Sequence, residues 1–185
     1  MKHPLMLSRY FCFDYFYSMK SFILLVTVLF SLSLQAQQPD TLAPFRRNPI
    51  FPSFELMQVD STSLTKDKIE KKHNTMLMFF SPDCTHCQHQ MEDMIKGMDS
   101  LKDVQIVMAT YQPFEEMVGF YQKYSISKYH NIKMGRDTKY FLPPYFRMKS
   151  LPYMALYDKK GNLITTFEGN HPVAKLVNAF EGKLN

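Results

Sequence analysis

Cys84 and Cys87, in the run Ser81-Pro82-Asp83-Cys84-Thr85-His86-Cys87, are the residues of this chain best suited to chemistry. A Cys-x-x-Cys spacing serves as a dithiol–disulfide couple, as half of a zinc site, or as a structural disulfide. The third cysteine, Cys12, lies far upstream, so the pattern reads as one reactive pair and one bystander. Three cysteines are too few for a disulfide-stapled scaffold. A closed zinc site wants four ligands, and no second cysteine pair exists to supply them. His86 and His89 are the residues left to complete such a set, and helical directions do not bring all four side chains to one point. No metal and no cofactor are expected.

The elements around the pair decide among these uses. Thr75 to Phe80 is a continuous apolar run bounded by Asn74 and by Ser81-Pro82, which suits a strand buried on both faces. After the motif, Cys87, Met91, Met94, Ile95 and Met98 recur at helical spacing, opposite Gln88, Glu92, Lys96 and Asp99. The methionines of that row read as core-facing side chains. Cys84 is therefore expected at a helix N-terminus, where unpaired N–H groups and the positive end of the helix dipole favour a thiolate. Cys87 is expected one turn in, within reach of Cys84 and shielded by the core. On this reading Cys84 is the exposed sulfur that attacks or is attacked, and Cys87 resolves the mixed disulfide from inside.

The rest of the chain alternates in kind. Val104 to Ala109 reads as a second buried strand and Pro113 to Tyr124 as another helix, an α/β pattern with parallel pairing. Tyr153–Tyr157, the turn 158–162 and Leu163–Phe167 read as a hairpin, and Pro172 to Leu184 as a closing amphipathic helix. Upstream, Phe54 to Val59 is compatible with a short strand and Leu64 to Lys72 with a turn of helix. Residues 37–52 carry Pro39, Pro44, Pro49 and Pro52 and are expected to form an extended linker without regular structure. The folded domain is expected over residues 53–185.

The start of the chain reads as an address. Met19-Lys20, the apolar run 21–34 and Gln35-Ala36-Gln37 have the form of a secretory signal peptide, with cleavage expected after Ala36. The run is shorter than the about 20 residues that span a bilayer, so no permanent membrane span is expected after cleavage. The aromatic-rich residues 1–18 are explained if Met19 is the true start. Lys and Arg are spread along the chain, and the net charge of +5 reads as a solvated surface with no nucleic-acid partner.

The strand Thr75–Phe80, the helix start at Cys84-Thr85-His86-Cys87, and Leu151-Pro152 ahead of the hairpin resemble the thioredoxin superfamily. The lead-in from Phe54 and the added strand and helix after Val104 look more like its exported TlpA/ResA-type branch. The resemblance covers about residues 53–184, essentially the whole mature domain. It implies an α/β thioredoxin-like fold, a central mixed β-sheet flanked by helices. It also implies that Pro152 is the cis-proline facing the active site, exposing the backbone of Leu151 to a substrate chain. Two positions depart from the family. Met78 stands where thioredoxins hold a buried acid, leaving Glu115, Glu116 or water to handle the proton of Cys87. Leu151 replaces the more usual threonine, isoleucine or valine. His86, between the cysteines, is a candidate for tuning the Cys84 thiolate, as in DsbA-type oxidases.

The expected activity is exported thiol–disulfide exchange, reducing or isomerising disulfides of other proteins through Cys84 and Cys87. The expected partners are disulfide-containing proteins and a membrane or periplasmic redox partner, and the expected compartment is the periplasm. A DsbA-like oxidase lacks the large helical insertion it needs here. A peroxidase would want a Thr-x-x-Cys nucleophile, where this chain has Ser81. A metal-binding module that keeps the fold is the remaining alternative.

Overall fold

The computed structural model describes residues 42–183. The expected leader 1–36 with Cys12 and the cleavage point expected after Ala36, the first part of the expected linker, and Leu184 lie outside the described residues. The elements run α1 (Pro44–Arg47), β1 (Glu55–Met57), β2 (Ser63–Thr65), β3 (Asn74–Phe79), α2 (Thr85–Lys96), α3 (Met98–Leu101) and β4 (Val104–Thr110). They continue α4 (Phe114–Lys123), β5 (Ile132–Arg136), α5 (Leu142–Phe146), β6 (Tyr153–Tyr157), β7 (Leu163–Glu168) and α6 (Val173–Phe180).

The seven strands among the described residues join one sheet in the order β2-β1-β5-β4-β3-β6-β7. β3, β4 and β5 run parallel, with Asn74 opposite Val104 and Ile106 opposite Ile132. β6 is antiparallel to β3, with Thr75 opposite Tyr157 and Phe79 opposite Tyr153. The sheet is thus mixed, as the α/β thioredoxin-like class requires. β3 is an interior strand between β4 and β6, and both of its faces are apolar. Met76, Met78 and Phe80 pack with Cys87, Met91 and Met94 of α2, Met117 and Phe120 of α4, and Leu176 of α6. Leu77 and Phe79 face the other way, against Phe45 of α1, Phe51, Phe54, and Leu142 and Phe146 of α5. Such double coverage is what turns a strand into a continuous hydrophobic run.

Several expectations need correction. Residues 42–52, read as part of an extended linker, include the helical turn α1, and Phe45 and Phe51 are buried in the second core. The prolines there start and end a packed segment, since Pro44 fits the first helical position. Of the turn of helix expected over Leu64 to Lys72, only a 3-10 turn at Lys66–Lys68 forms, after strand β2. Strand β5 and helix α5 were not expected. In β5, Lys133, Gly135 and Arg136 interrupt any apolar pattern, and α5 carries Pro143 and Pro144 in its first turn, where a missing N–H costs nothing. Among the described residues no helix is long and apolar enough to cross a membrane.

Candidate active site

The buried run β3 delivers the chain to one edge of the sheet, where the Phe80 N–H donates to the Ala109 carbonyl at 3.0 Å. The next residues turn: the Cys84 N–H donates to the Ser81 carbonyl at 3.2 Å. Cys84 then caps α2 with extended backbone (φ −76°, ψ 114°), and its carbonyl accepts from Gln88 N–H at 3.0 Å. No side chain caps this helix, so its first N–H groups point to where a ligand or a sulfur sits.

The two cysteines have different surroundings. Cys84 is half-buried at the rim of the first core; Cys87, one turn on, is fully buried among Met78, Phe80 and Met91. Both are free thiols. Burial pushes the Cys87 thiol well above the ordinary cysteine range, and its hydrogen bond with Cys84 pushes the same way. A hydrogen bond from the Ser81 main chain opposes this, while the nearby charges of Cys84 and Asp83 add to it. Cys87 is thus held as a thiol until something removes its proton.

The β3–β6 register brings Leu151-Pro152 to the same edge. Phe79 lies opposite Tyr153, and one further step along each strand sets Pro152 beside Phe80. The Leu151–Pro152 peptide bond is cis. Leu151 is half-buried and packs on the same core cluster as Cys84. Among the described residues its main chain forms no hydrogen bond, whereas the Pro152 carbonyl accepts from Gly169 N–H at 2.8 Å.

Other expected residues lie at the surface. His86 and His89 are exposed on α2, and Glu115 and Glu116 are exposed on the first turn of α4. Met78 is fully buried, and among the described residues the buried acid is Asp137, whose carboxylate accepts from Leu142 N–H at 2.8 Å. Among the described residues, no three or more His, Cys, Asp or Glu side chains are grouped to hold a metal ion.

Gln90 and Gln112 escaped the sequence reading, as did the contacts that Ser81 and Asp83 make. The Ser81 hydroxyl donates to Asp83 and accepts from Gln112 Nε2, the latter at 3.0 Å. Gln88 Nε2 donates to the Pro82 carbonyl at 2.7 Å, and Gln90 is buried beneath the helix. Gln90 alone left a signal, a polar residue between Cys87 and Met91 on the apolar side of α2.

A family model for the thioredoxin-like domain matches residues 62–182. The chain belongs to the thioredoxin-like family. No curated protein matches this thioredoxin-like chain. Among solved structures, the exposed lipoprotein thioredoxin Etrx1 of Streptococcus pneumoniae is 21% identical, with a TM-score of 0.56 over 71% of this chain and 99% of that one. StoA of Bacillus subtilis is 17% identical, with a TM-score of 0.54 over 71% and 98%. A secreted disulfide oxidoreductase of Mycobacterium tuberculosis is 14% identical, with a TM-score of 0.59 over 70% and 96%. At these identities the likeness is one of fold.

Proposed function

We propose that this thioredoxin-like chain is an exported thiol–disulfide oxidoreductase that reduces or isomerises disulfides of other proteins. The observation that carries the reading is the asymmetry of the pair: Cys84 half-exposed at a helix N-terminus, Cys87 wholly buried one turn behind it. Export is supported by the apolar run 21–34 behind Met19-Lys20, and by the secreted and exposed proteins among its structural relatives.

The reaction has two exchanges. Cys84, as thiolate, attacks one sulfur of a substrate disulfide; the S–S bond breaks, a mixed disulfide forms, and the other substrate sulfur leaves as a thiolate. Cys87 then loses its proton and attacks Cys84 Sγ, which frees the second substrate thiol and leaves a Cys84–Cys87 disulfide. Two electrons and the Cys87 proton have passed to the substrate, whose remaining thiolate takes its proton from solvent, and an external dithiol reductant must restore the pair. The buried thiol suits the second role, because it is unreactive toward bulk solvent and becomes competent only beside the mixed disulfide. The unbonded Leu151 main chain offers a donor and an acceptor to an extended substrate strand. His86, exposed and between the cysteines in sequence, is the candidate for tuning Cys84.

Reduction of insulin disulfides by the dithiol-regenerated protein tests the activity. Cys84→Ser is expected to abolish it, and Cys87→Ser to accumulate a mixed disulfide with substrate. Turnover by Cys84→Ser at the wild-type rate would sink the assignment. The direction of flow is read from the reduction potential, expected nearer the about −270 mV of a reductase than the about −120 mV of an oxidase.

A further inference from the structure

Ser81 gathers contacts that the exchange chemistry above does not use. The residue is buried, and its single hydroxyl proton has one destination. Gln112 Nε2 donates to Ser81 Oγ at 3.0 Å, so the hydroxyl proton goes to Asp83 Oδ1. Gln112 is itself fixed: its N–H donates to Thr110 Oγ1 at 3.2 Å and its carbonyl accepts from Arg136 Nε at 2.7 Å. The main chain of Ser81 reaches the cysteines, its N–H bonded to the Cys87 sulfur and its carbonyl accepting from Cys84 N–H.

Asp83 therefore occupies a fixed place immediately before Cys84. Among the described residues no cation is paired with it. Two nearby basic side chains are directed elsewhere, Lys123 to Gln88 Oε1 of α2 at 3.2 Å and Arg136 to the Gln112 carbonyl at 2.7 Å. A carboxylate with no counter-charge, held by Ser81 and next to Cys84 in the chain, acts through its field on the pair, as it does on the Cys87 thiol.

We propose that Asp83 is a potential-setting residue: held by Ser81 and Gln112, its carboxylate keeps the Cys84–Cys87 couple more reducing than the helix N-terminus alone would make it. The inference rests on the dithiol reading above. Reduction of the disulfide takes up two electrons and two protons to give two thiols, or one proton where the first thiol is ionised. A helix N-terminus stabilises that thiolate and so raises the potential. A fixed negative charge penalises it and lowers the potential. The charge of Asp83 acts in this sense on the Cys87 thiol.

The test equilibrates the full chain with glutathione buffers at neutral pH and low salt, trapping thiols by alkylation. Asp83→Asn is expected to move the equilibrium about three- to tenfold toward the dithiol, a potential up to about 30 mV more oxidising. Asp83→Glu, which keeps the charge, should stay near wild type, and Ser81→Ala should move in the same direction as Asp83→Asn by less. The difference should shrink at about 1 M salt, because an exposed charge is screened. Asp83→Asn at the wild-type potential, Asp83→Glu shifted as far as Asp83→Asn, or a gap indifferent to salt would overturn the proposal while leaving the exchange activity intact. A wild-type chain that forms no Cys84–Cys87 disulfide would instead overturn the functional reading, and this inference with it.

Discussion

Gln90 and His171 lie 81 residues apart and are joined twice: Gln90 Nε2 donates to the His171 carbonyl at 3.0 Å, and the His171 N–H donates to Gln90 Oε1 at 2.7 Å. The amide thereby behaves like a piece of backbone, satisfying the loop between β7 and α6 from inside the helix that carries the cysteines. Gln90 is fully buried, so its truncation leaves both main-chain groups of His171 without their partner. Gln90→Ala is expected to cost about 1–3 kcal/mol, the usual penalty for stranding buried polar groups. Urea unfolding checks it, with a lower midpoint at unchanged slope; a wild-type midpoint would show that the pair contributes nothing.

Gly135 in β5 is required by a close approach. A Cβ at this position would stand 2.7 Å from Leu56 Cβ and 3.1 Å from the Met57 carbonyl oxygen. β1 and β5 are paired at Met57 and Arg136, so neither strand can withdraw without breaking the sheet there. Gly135→Ala is expected to destabilise by about 1–3 kcal/mol, the range for overpacking. Thermal unfolding of the variant should show the loss. An unchanged midpoint would mean that β1 and β5 shift apart freely.

What could be read in advance follows the physics of each element. Strands β3 and β4, helix α2 and the β6–β7 hairpin were legible because burial on one or two faces writes a simple period into Thr75–Phe80, Cys87–Met98 and Tyr153–Phe167. The expected strand Val104 to Ala109 matches β4 to within a residue. Strand β5 and helix α5 were not legible: they are held by neighbours in the sheet and by one buried face, with Gly135, Pro143 and Pro144 obscuring any pattern. The contacts of Ser81, Gln112 and Gln90 join residues distant in sequence, as the spans of 31 and 81 positions show. A polar residue's partner across the fold leaves no local trace, so the cysteines were readable and their polar surroundings were not.

Tyr157 carries a hydroxyl that the fold does not use. Its ring is buried against Phe51, 4.9 Å between centroids and edge-on, yet among the described residues the hydroxyl has no hydrogen-bond partner. Burial pushes its ionisation well above the ordinary tyrosine range, and the adjacent Tyr145 and Tyr153 push in the same direction. Replacing an unsatisfied buried polar group by an apolar one of the same shape is neutral or favourable. Tyr157→Phe is expected to leave stability unchanged or raise it by about 1 kcal/mol, read from urea midpoints. A loss of more than about 1 kcal/mol would reveal a partner for the hydroxyl, such as a buried water.

Cys87 gives the reduced protein a pH dependence whose sign follows from linkage. Its thiol is pushed up in the folded state, first by burial, so the folded protein keeps this proton where an unfolded chain, with cysteine near about 8.5, has released it. Above that pH the unfolded state binds fewer protons, and the stability of the folded form falls as pH rises. One such group gives a slope of at most about 1.4 kcal/mol per pH unit. Between about pH 8.5 and 10, below the ordinary ionisation of tyrosine, reduced wild type is expected to lose stability on this slope. Cys87→Ala is expected to lose the part of the slope that this thiol supplies, whatever its stability at pH 7. Parallel profiles for the two proteins would show that Cys87 ionises in the folded state as readily as in water, contradicting its burial among Met78, Phe80 and Met91.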